Sequence, residues 1–301
     1  MINQKEISNG CAEKKTAHPF LNQLSASLVV HKTPWNQLEK ALICLLKSPV
    51  ERIFIIDNSP EDSLNNIQNL SSRIIYLKTS NRGFGAGHNI AIKKSIEQGY
   101  QFHLVMNADV WWEGDVISEL LKKIETDKKI GLISPKTFYP DGDLQFTCRM
   151  LPTPTDLFFK RLIPGKFKKN RMQKYLLARH DHNFELNSPY LLGSFLLFRN
   201  KAIEKEGAFD ERFFMYPEDI DITRRLHKNW TTLYWPKVSI IHEHQVASRK
   251  NIKMFLIHFR NMVKYFNKWG WGIDKERDEI NKRLLNNLIF LPEGKIEHGR
   301  G

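Results

Sequence analysis

Two adjacent acids, Glu218 and Asp219, are the residues of this chain whose spacing best suits acid–base chemistry. They follow Pro217, which is tolerated in the first turn of a helix, and carboxylates suit the positive end of a helix dipole. The pattern predicts a helix with both acids at its mouth, where a carboxylate can act as a general base at the edge of a cleft. Repulsion between the two should raise one of their pKa values. The alternative is ordinary capping with salt bridges to Arg224 and Arg225.

A glycine-rich segment begins at Asn81 and reads Asn-Arg-Gly-Phe-Gly-Ala-Gly-His-Asn-Ile-Ala. We expect three glycines in a loop that leads into a helix through Ile92 and Ile96. Glycine lets backbone N–H groups approach a phosphate or ribose closely, and a helix N-terminus favours an anion. The spacing Gly-x-Gly-x-Gly differs from the dinucleotide-binding Gly-x-Gly-x-x-Gly and follows the third predicted strand, which counts against a dehydrogenase.

Strands alternate with helices over the first half of the chain, which predicts a mostly parallel α/β sheet. The predicted strands lie at 25–30, 52–57, 73–77, 101–110, 131–136, 191–199, 231–235 and 238–242. Ligands of such sheets bind beyond the carboxyl ends of the strands. Asp57 and Asp109 stand at two of these ends, although the first could be a turn residue and the second a cap for a helix from Glu113 onward. Gly193 would let a substrate approach the backbone of its strand closely.

The composition is that of an ordinary globular protein with a strong positive charge. The 301 residues carry a formal net charge of +13 and three scattered cysteines, and no apolar run approaches the roughly 20 residues of a spanning helix. Such a charge suits nucleic acid, an anionic membrane face or a phosphate-bearing substrate. Because no nucleic-acid-binding motif is present, we expect no nucleic-acid partner and favour the other two. The cysteine pattern indicates a reducing compartment without a zinc site.

Five motifs, in this order, resemble family 2 glycosyltransferases, especially their rhamnosyltransferase-like branch. The motifs are Asp57-Asn58-Ser59, the glycine-rich segment from Asn81 to Asn89, Asn107-Ala108-Asp109, Gly193-Ser194-Phe195, and the block from Phe213 to Arg225. The resemblance runs from about Leu24 to about Trp271 and implies a GT-A type fold. It divides the chain into a flexible leader (1–24), a catalytic domain (25–245) and a C-terminal helical extension (246–301). The donor half of the domain would end near residue 136 and the acceptor half begin near 137.

On the donor side, the resemblance implies a nucleoside-diphosphate sugar, with rhamnose favoured as the sugar. The donor-binding residues implied are Asp57, which would contact the nucleotide base, with Asn81, Gly83, Gly85, Gly87, Asn89, Asn107 and Asp109. A divalent metal, Mg²⁺ or Mn²⁺, would be held by Asp109 with His242 and would neutralise the departing diphosphate. Asn107 stands where the family places a first acid, so this chain supplies one carboxylate there.

On the acceptor side, we assign Asp219 the role of the base that removes the proton of the acceptor hydroxyl in an inverting transfer. Glu218 would orient the acceptor or tune Asp219. The acceptor-binding residues implied are Gly193, Ser194, Tyr216 and Glu218. The acceptor implied is a lipid-linked or polysaccharide glycan of cell-surface polysaccharide synthesis, at the cytoplasmic face of a bacterial membrane. Arg225 would fix its helix by pairing with Asp221.

The segment from Asn251 to Trp271 has the periodicity of a helix with one apolar and one basic face. The apolar stripe consists of Ile252, Phe255, Phe259, Met262, Val263, Phe266 and Trp269, and the basic face of Lys253, Arg260, Lys264 and Lys268. Such a helix can close a domain core or lie on a membrane. We expect the stripe to be core and the basic face to be the side that could contact anionic lipid.

Two other functional classes fit parts of the sequence. A sugar-phosphate nucleotidyltransferase shares the sheet and the nucleotide loop, but it would carry a glycine-rich segment with a lysine directly after the first strand. Here that position reads His31-Lys32-Thr33-Pro34, without glycines. A non-enzymatic basic module that binds membrane or nucleic acid would turn over no nucleotide sugar, and its affinity would fall steeply with salt.

Overall fold

The computed structural model describes residues 23–61, 64, 66–157, 165–243, 252–291 and 299–300. The first half contains β1 (Leu24–Val30), α1 (Trp35–Leu46), β2 (Arg52–Asp57), a 3₁₀ turn (Ile67–Leu70), β3 (Ile74–Lys78), α2 (Phe84–Glu97), β4 (Phe102–Met106), β5 (Val110–Trp111), α3 (Val116–Thr126), β6 (Ile130–Phe138), β7 (Leu144–Gln145) and β8 (Cys148–Arg149). The second half contains α4 (Pro154–Leu157), α5 (Gly165–Tyr175), β9 (Leu186–Asn187), β10 (Tyr190–Leu191), β11 (Phe195–Arg199), α6 (Asn200–Glu206), α7 (Glu218–His227), β12 (Thr231–His242), α8 (Ile252–Trp269), α9 (Lys275–Asn286) and β13 (Gly299–Arg300). The predicted leader lies outside the described residues as far as residue 22, and the first strand already includes Leu24.

A single large sheet forms the centre of the described part of the chain. Its main path runs β13-β7-β6-β11-β4-β1-β2-β3, and β12 lies beside β6. The strands β1 to β4 are mutually parallel, as the alternation of strands and helices predicts, whereas β11 runs antiparallel to both β4 and β6. The strands β1, β2 and β4 are almost wholly buried, whereas β3, at the end of the path, is only partly buried.

The carboxyl ends of β1, β2 and β3 meet at one edge of this sheet. Val30 pairs with Asp57, and Asp57 pairs with Lys78, so the three strands end side by side. The helix after β1 begins at Trp35, directly after Pro34, and packs its leucines against the sheet. This edge is therefore the place where the loops of the donor half come together.

Two predicted strands are interrupted in the structure, and both interruptions lie at the same place. The predicted strand 101–110 is divided into β4 and β5 around Asn107 to Asp109, and the predicted strand 191–199 is divided into β10 and β11 around Gly193. The Asn107 N–H donates to the carbonyl oxygen of Ser194 at 2.9 Å, where the segment after β4 lies beside the segment before β11. Gly193 thus lies in a turn rather than inside a strand. The two strands predicted at 231–242 are, conversely, one strand, β12, with a register shift after Trp235.

The two C-terminal helices are attached to α7 by a buried ion pair. The Arg224 guanidinium donates to both carboxylate oxygens of Asp274, at 2.7 and 2.8 Å, and its Cζ lies 4.0 Å from the ring centroid of Trp269. Asp274 also caps α9 through the Arg277 N–H. Among the described residues, none of the helices combines the length and the hydropathy needed to cross a bilayer.

Candidate active site

A cavity of about 460 Å³ opens where β1, β2 and β3 end. The residues that line it come from the end of β3 and from the loops after the three strands: His31, Lys32, Asn58, Ser59, Pro60, Lys78, Thr79, Ser80 and Asn81. Its size lies within the usual range for small-molecule sites. Polar backbone and side-chain groups with two lysines suit a nucleoside that carries phosphates.

Asp57 lies beneath this cavity and is fully buried. Its carboxylate accepts hydrogen bonds from the Ser59 N–H at 2.8 Å and the Tyr76 hydroxyl at 2.8 Å, and Lys78 Nζ lies 3.3 Å away. Burial by itself would raise the pKa of Asp57, but these hydrogen bonds outweigh it and lower the pKa below its usual value. The structure therefore shows Asp57 shaping the loop that lines the cavity, whereas contact with a nucleotide base stays a prediction.

The glycine-rich segment differs from the predicted loop because α2 already begins at Phe84. Only Gly83 precedes the helix, at φ +103°, where glycine is favoured. A Cβ on Gly85 would lie 2.8 Å from the Cβ of Phe209, and one on Gly87 would lie 2.7 Å from a methyl of Val29. These two glycines thus allow α2 to pack closely against its neighbours, which accounts for the alternate spacing without any ligand.

Asn81 and Asn89, at the two ends of this segment, have different surroundings. Asn81 lines the cavity, and its Oδ1 accepts the Gly83 N–H at 3.2 Å. Asn89 is engaged by the protein itself, since its amide group both donates to the carbonyl of Phe209 at 2.9 Å and accepts the N–H of Phe209 at 3.0 Å. The geometry thus supports a donor contact for Asn81 and a structural clamp for Asn89.

Asp109 and His242 come together beyond β4, where the sequence predicts the metal site. Asp109 Oδ1 lies 3.4 Å from His242 Nε2, and Asn107 Nδ2 lies 3.3 Å from the same nitrogen. The other ring nitrogen, Nδ1, lies 2.8 Å from Oε1 of the buried Gln145, an amide oxygen that can only accept. Nδ1 therefore carries a proton, and in the neutral imidazole the lone pair of Nε2 faces Asp109. The predicted capping role of Asp109 is wrong, because Asp115 caps α3.

The donor set at this point fits a divalent ion held partly by its substrate. Adjacent ligands of an octahedral Mg²⁺ or Mn²⁺ lie about 3 Å apart, close to the separation of Asp109 Oδ1 and His242 Nε2. Within the described ranges, no group of three or more His, Cys, Asp or Glu side chains is arranged to hold a metal. An ion here would thus take the rest of its coordination from water and a diphosphate.

A short chain of backbone contacts connects this point with the two acids of α7. Asn107 bonds to Ser194, and the neighbouring Gly193 N–H donates to Asp219 Oδ2 at 3.0 Å. A Cβ on Gly193 would lie 3.1 Å from the Cβ of Asp219, a tight contact, so glycine favours this close approach. The break between β10 and β11 therefore brings the predicted metal site and the predicted base to the same end of the sheet.

The Asp219 carboxylate is buried and held in place by three donors. Besides Gly193, the Ile220 N–H donates to Oδ1 at 2.8 Å and the Tyr190 hydroxyl to Oδ2 at 3.3 Å. Burial raises the pKa of Asp219, while these donors and the nearby Arg149 charge oppose the rise. Arg149 Cζ lies 5.7 Å from the ring centroid of Tyr190, behind the carboxylate. The surroundings thus hold Asp219 rigidly and favour its ionised form over that of its neighbour.

Glu218 has the opposite environment although it is the adjacent residue. Its side chain is buried, and its Oε2 has no hydrogen-bond partner among the described residues. Burial, and then the negative charge of Asp219, raise the pKa of Glu218 well above its ordinary value. This is the split pKa pair that two neighbouring carboxylates should produce. A protonated Glu218 would present an O–H group for a partner that the protein does not supply.

The arginines of α7 are paired elsewhere, so salt bridges do not explain the two acids. Arg224 pairs with Asp274, and Arg225 pairs with Asp221 at 2.9 Å, the latter as predicted. Tyr216 precedes the helix at φ +53°, and its ring packs against the ring of His258 on α8 at a centroid distance of 5.2 Å. Tyr216 is thus part of the wall next to Glu218, where an acceptor contact stays a prediction.

Three residues with a direct bearing on this site carry no local signal in the sequence. Gln145 orients His242, while Tyr190 and Arg149 surround Asp219. Each comes from a strand of only two residues, too short for a periodic pattern. Only the pairing of these short strands places them beside the acids and the histidine.

The chain is similar in sequence to known proteins. Residues 27–207 match the sequence model of Glycosyl transferase family 2. The chain is 28% identical over 165 residues to an N-acetylglucosaminyl-diphospho-decaprenol L-rhamnosyltransferase of Mycobacterium tuberculosis, covering 51% of this chain and 54% of that one. The chain thus spans about half the length of that relative. Rhamnosyltransferase WbbL of Escherichia coli K12 is 22% identical over 256 residues, covering 82% of this chain and 89% of that one.

Solved structures give the fold. A crystal structure of GalNAc-T7 with UDP, GalNAc and Mn²⁺ superposes with a TM-score of 0.61 at 15% identity, over 83% of this chain and 49% of that chain. At this identity the likeness concerns the fold, which is of the GT-A type, as the sequence predicts. That neighbour was solved with UDP, GalNAc and Mn²⁺.

Proposed function

Because this chain belongs to Glycosyl transferase family 2, we propose that it moves a sugar from a nucleoside-diphosphate sugar to a hydroxyl group of a glycan acceptor. The observation that carries the proposal is the split pair on α7, in which Asp219 is held by three donors and Glu218 is buried with an unsatisfied oxygen. The pair lies at the end of the sheet at which Asp109 and His242 approach each other. Membership of this family argues against a nucleotidyltransferase and against a non-enzymatic basic module.

The cavity at the ends of β1 to β3 would take the nucleoside of the donor. Asn58, Ser59 and Asn81 offer hydrogen-bonding groups on its walls, and Lys32 and Lys78 add positive charge for the phosphates. Asp57 would keep the cavity in shape from below. Asn107 and Asp109 would contact the diphosphate side of the donor.

Asp109 and His242 would hold a divalent metal, Mg²⁺ or Mn²⁺, against the diphosphate. When bound, such an ion neutralises the charge that develops on the leaving group. Gln145 would keep His242 in the tautomer whose Nε2 can act as a ligand. Asn107, in place of a second acid, leaves the site with less negative charge, which suits an ion that shares its coordination with the substrate.

Asp219 would act as the base and Glu218 as a hydrogen-bond donor in the same step. The acceptor hydroxyl would lose its proton to Asp219 Oδ1, which retains a lone pair beyond its bond from Ile220. The protonated Glu218 would donate to the acceptor or to the sugar and so orient it. Attack on the face of the sugar opposite the diphosphate inverts the anomeric carbon.

The finer parts of the proposal concern the donor and the acceptor. Rhamnose is the sugar that we propose, since two relatives are named rhamnosyltransferases. One of these names includes a diphospho-decaprenol carrier, which supports a lipid-linked acceptor for this chain at the cytoplasmic face of a membrane. Gly193, Ser194 and Tyr216 would line the acceptor side.

A thermal-shift screen of nucleotide sugars, with and without Mn²⁺, tests the donor half. A ligand present at a hundred times its dissociation constant stabilises the protein by about 2.7 kcal/mol. We expect one nucleotide class to raise the melting temperature, and Mn²⁺ to increase the rise. Asp109→Asn should remove the Mn²⁺-dependent part, while Glu97→Gln, an exposed acid on α2, should not. If no nucleoside diphosphate changes the melting temperature of the wild-type protein, the proposal fails.

A further inference from the structure

The apolar stripe of α8 is divided into a buried half and an exposed half. Met262 and Phe266, toward the end of the helix, are buried in the core, as the sequence predicts. Phe255, Leu256 and Phe259, one to two turns earlier, are 46%, 59% and 47% exposed. The expectation that the stripe is core throughout is therefore wrong for its first half. Three large apolar side chains with this exposure on adjacent turns form a patch, not scattered surface residues.

Trp271 continues this surface past the end of the helix. Its ring centroid lies 5.3 Å from that of Phe266, so that it covers the buried part of the stripe, and it is itself 42% exposed. Ile273, two residues later, is 85% exposed. We call Phe255, Leu256, Phe259 and Trp271 together the apolar strip.

The chain around the apolar strip is strongly basic. Residues 244–273 contain no Asp or Glu, and their six basic residues are Arg249, Lys250, Lys253, Arg260, Lys264 and Lys268. Lys268 pairs with Asp210 and Asp221, and Lys264 Nζ donates to the Arg212 carbonyl, so these two are turned toward the domain. Arg260, next to Phe259, is exposed. The prediction that the basic face could contact lipid is therefore wrong for Lys264 and Lys268, which contact the protein. Arg260, in contrast, places its charge beside the apolar strip.

The opposite side of α8 supports the acceptor wall of the site. Asn261 Nδ2 donates to the carbonyl of Met215 at 2.8 Å, and His258 packs against the ring of Tyr216. Tyr216 is two residues from Glu218. One helix therefore separates the apolar strip from the acceptor side of the proposed active site.

We propose that the apolar strip of α8 inserts into the interface of an anionic lipid bilayer and thereby holds the acceptor side of the site at the membrane surface. Aromatic and leucine side chains on one face of a helix, with basic residues beside them, have the chemistry of an interfacial segment. Anionic headgroups complement Arg260, and the sequence from 244 to 273 has no acid that would repel them. The lipid-linked acceptor rests on the proposed function, whereas the membrane contact rests on the apolar strip and the positive charge beside it.

Flotation of the full chain with lipid vesicles tests the membrane contact without any assay of transfer. We expect binding to vesicles that contain phosphatidylglycerol and much weaker binding to phosphatidylcholine alone. The triple variant Phe255→Ser, Leu256→Ser, Phe259→Ser should bind at least about tenfold more weakly, because the inserted apolar area supplies the affinity. Phe184→Ser and Phe290→Ser, which are 46% and 59% exposed elsewhere on the protein, serve as matched controls and should bind like the wild type.

The charge contribution has its own pair of variants. Arg260→Glu should weaken binding to phosphatidylglycerol vesicles, whereas Lys201→Glu, at an exposed position on α6, should have little effect. High salt should reduce the difference between the two vesicle types. Equal loss of binding with both charge variants would mean that net charge alone attracts the protein, and would overturn the role of the strip.

Three other outcomes would also overturn the membrane contact. Unchanged vesicle binding by the triple variant excludes the strip as the contact. A wild-type dimer that the triple variant converts into monomers, without vesicle binding, assigns the strip to a second copy of the chain. Lack of vesicle binding together with slow hydrogen exchange at 255–259 assigns it to another segment of the same chain. If the triple variant still shows the nucleotide-sugar thermal shift, each of these three results counts against the membrane contact and leaves the proposed function standing.

Discussion

The different environments of Glu218 and Asp219 predict opposite results for two substitutions that are chemically alike. Asp219→Asn removes the carboxylate that would accept the proton but keeps a side chain of the same size. Glu218→Gln removes a carboxyl group that burial holds protonated and replaces it with an amide that also donates. We therefore expect Asp219→Asn to abolish transfer and Glu218→Gln to preserve it.

The expected magnitudes follow from the two roles. A positioned base contributes about 10²–10⁴-fold, or about 2.7–5.5 kcal/mol of barrier, so Asp219→Asn should lose that much in kcat/KM. A hydrogen bond from Glu218 contributes about 0.5–1.5 kcal/mol, so Glu218→Gln should stay within about tenfold of the wild type. Glu218→Ala, which loses the donor and leaves a void, should fall below Glu218→Gln. Donor affinity by thermal shift should stay the same in all three.

The pH dependence gives a second readout of the same pair. Asp219 must be ionised, so kcat/KM should rise with pH through the lower macroscopic pKa of the pair. Glu218 must be protonated, so kcat/KM should fall again as the pH passes the higher one, which burial and the Asp219 charge raise. In Glu218→Gln the amide stays a donor at every pH, and the decline at high pH that Glu218 causes should disappear.

Stability supplies a test that needs no substrate. The pKa of Glu218 is raised in the folded state, so above its unfolded value of about 4.3 the unfolded chain binds fewer protons and is favoured. Glu218 therefore lowers the free energy of unfolding by about 1.4 kcal/mol for each pH unit between that value and its pKa in the folded state. By urea unfolding, Glu218→Gln should be more stable than the wild type at pH 7 and equally stable near pH 4.

The assay is release of nucleoside diphosphate in the presence of acceptor, with the donor that the thermal-shift screen identifies. If Glu218→Gln is as inactive as Asp219→Asn while it still binds donor, Glu218 is the base, and the assignment of roles is refuted. If Asp219→Asn turns over normally, the base is another group.

Three further predictions concern stability. Burial lowers the pKa of His103 to about 3, so the free energy of unfolding should fall by up to about 1.4 kcal/mol for each pH unit below the unfolded pKa of about 6.5. Urea unfolding at pH 7 and pH 5 measures this loss. If the urea midpoint falls by the same amount between the two pH values in the wild type and in His103→Gln, the prediction is contradicted. Arg224→Met leaves the buried Asp274 without its partner and should cost about 3–5 kcal/mol, and a loss below 1 kcal/mol would mean that water replaces the arginine. Gly87→Ala places a methyl 2.7 Å from a valine methyl on β1 and should cost about 1–3 kcal/mol, while Gly272→Ala, which meets open space, should cost little; similar melting temperatures for both would refute the close packing of α2.

The start of α7 shows how far local sequence could predict the site. Proline followed by acids fixes a helix start because it restrains the backbone and matches the helix dipole, and α7 begins at Glu218 as predicted. The family resemblance implied that Asp109 and His242 would share a site; their side chains lie 3.4 Å apart, and a metal held by the two stays a prediction. The same pattern did not distinguish the two acids, since their neighbours in the chain are alike and their neighbours in space are not.

The glycine-rich segment shows the limit of motif interpretation. The sequence correctly predicted a helix through Ile92 and Ile96, but it placed three glycines in a phosphate-binding loop. Two of them lie inside α2, where the lack of a side chain allows contact with Val29 and Phe209. A glycine is favoured both by a ligand and by close packing, and only the neighbouring backbone decides between the two.

Local sequence was sufficient to predict the alternation of strands and helices, the start of α7 and the identity of the acids that could do chemistry, because these depend on contacts within a few residues. The tertiary structure decided which acid is held by donors and which is left with an unsatisfied oxygen. It also decided that half of the α8 stripe is exposed. Both depend on burial and electrostatic contacts between segments far apart in the chain, and no periodicity within one segment encodes them.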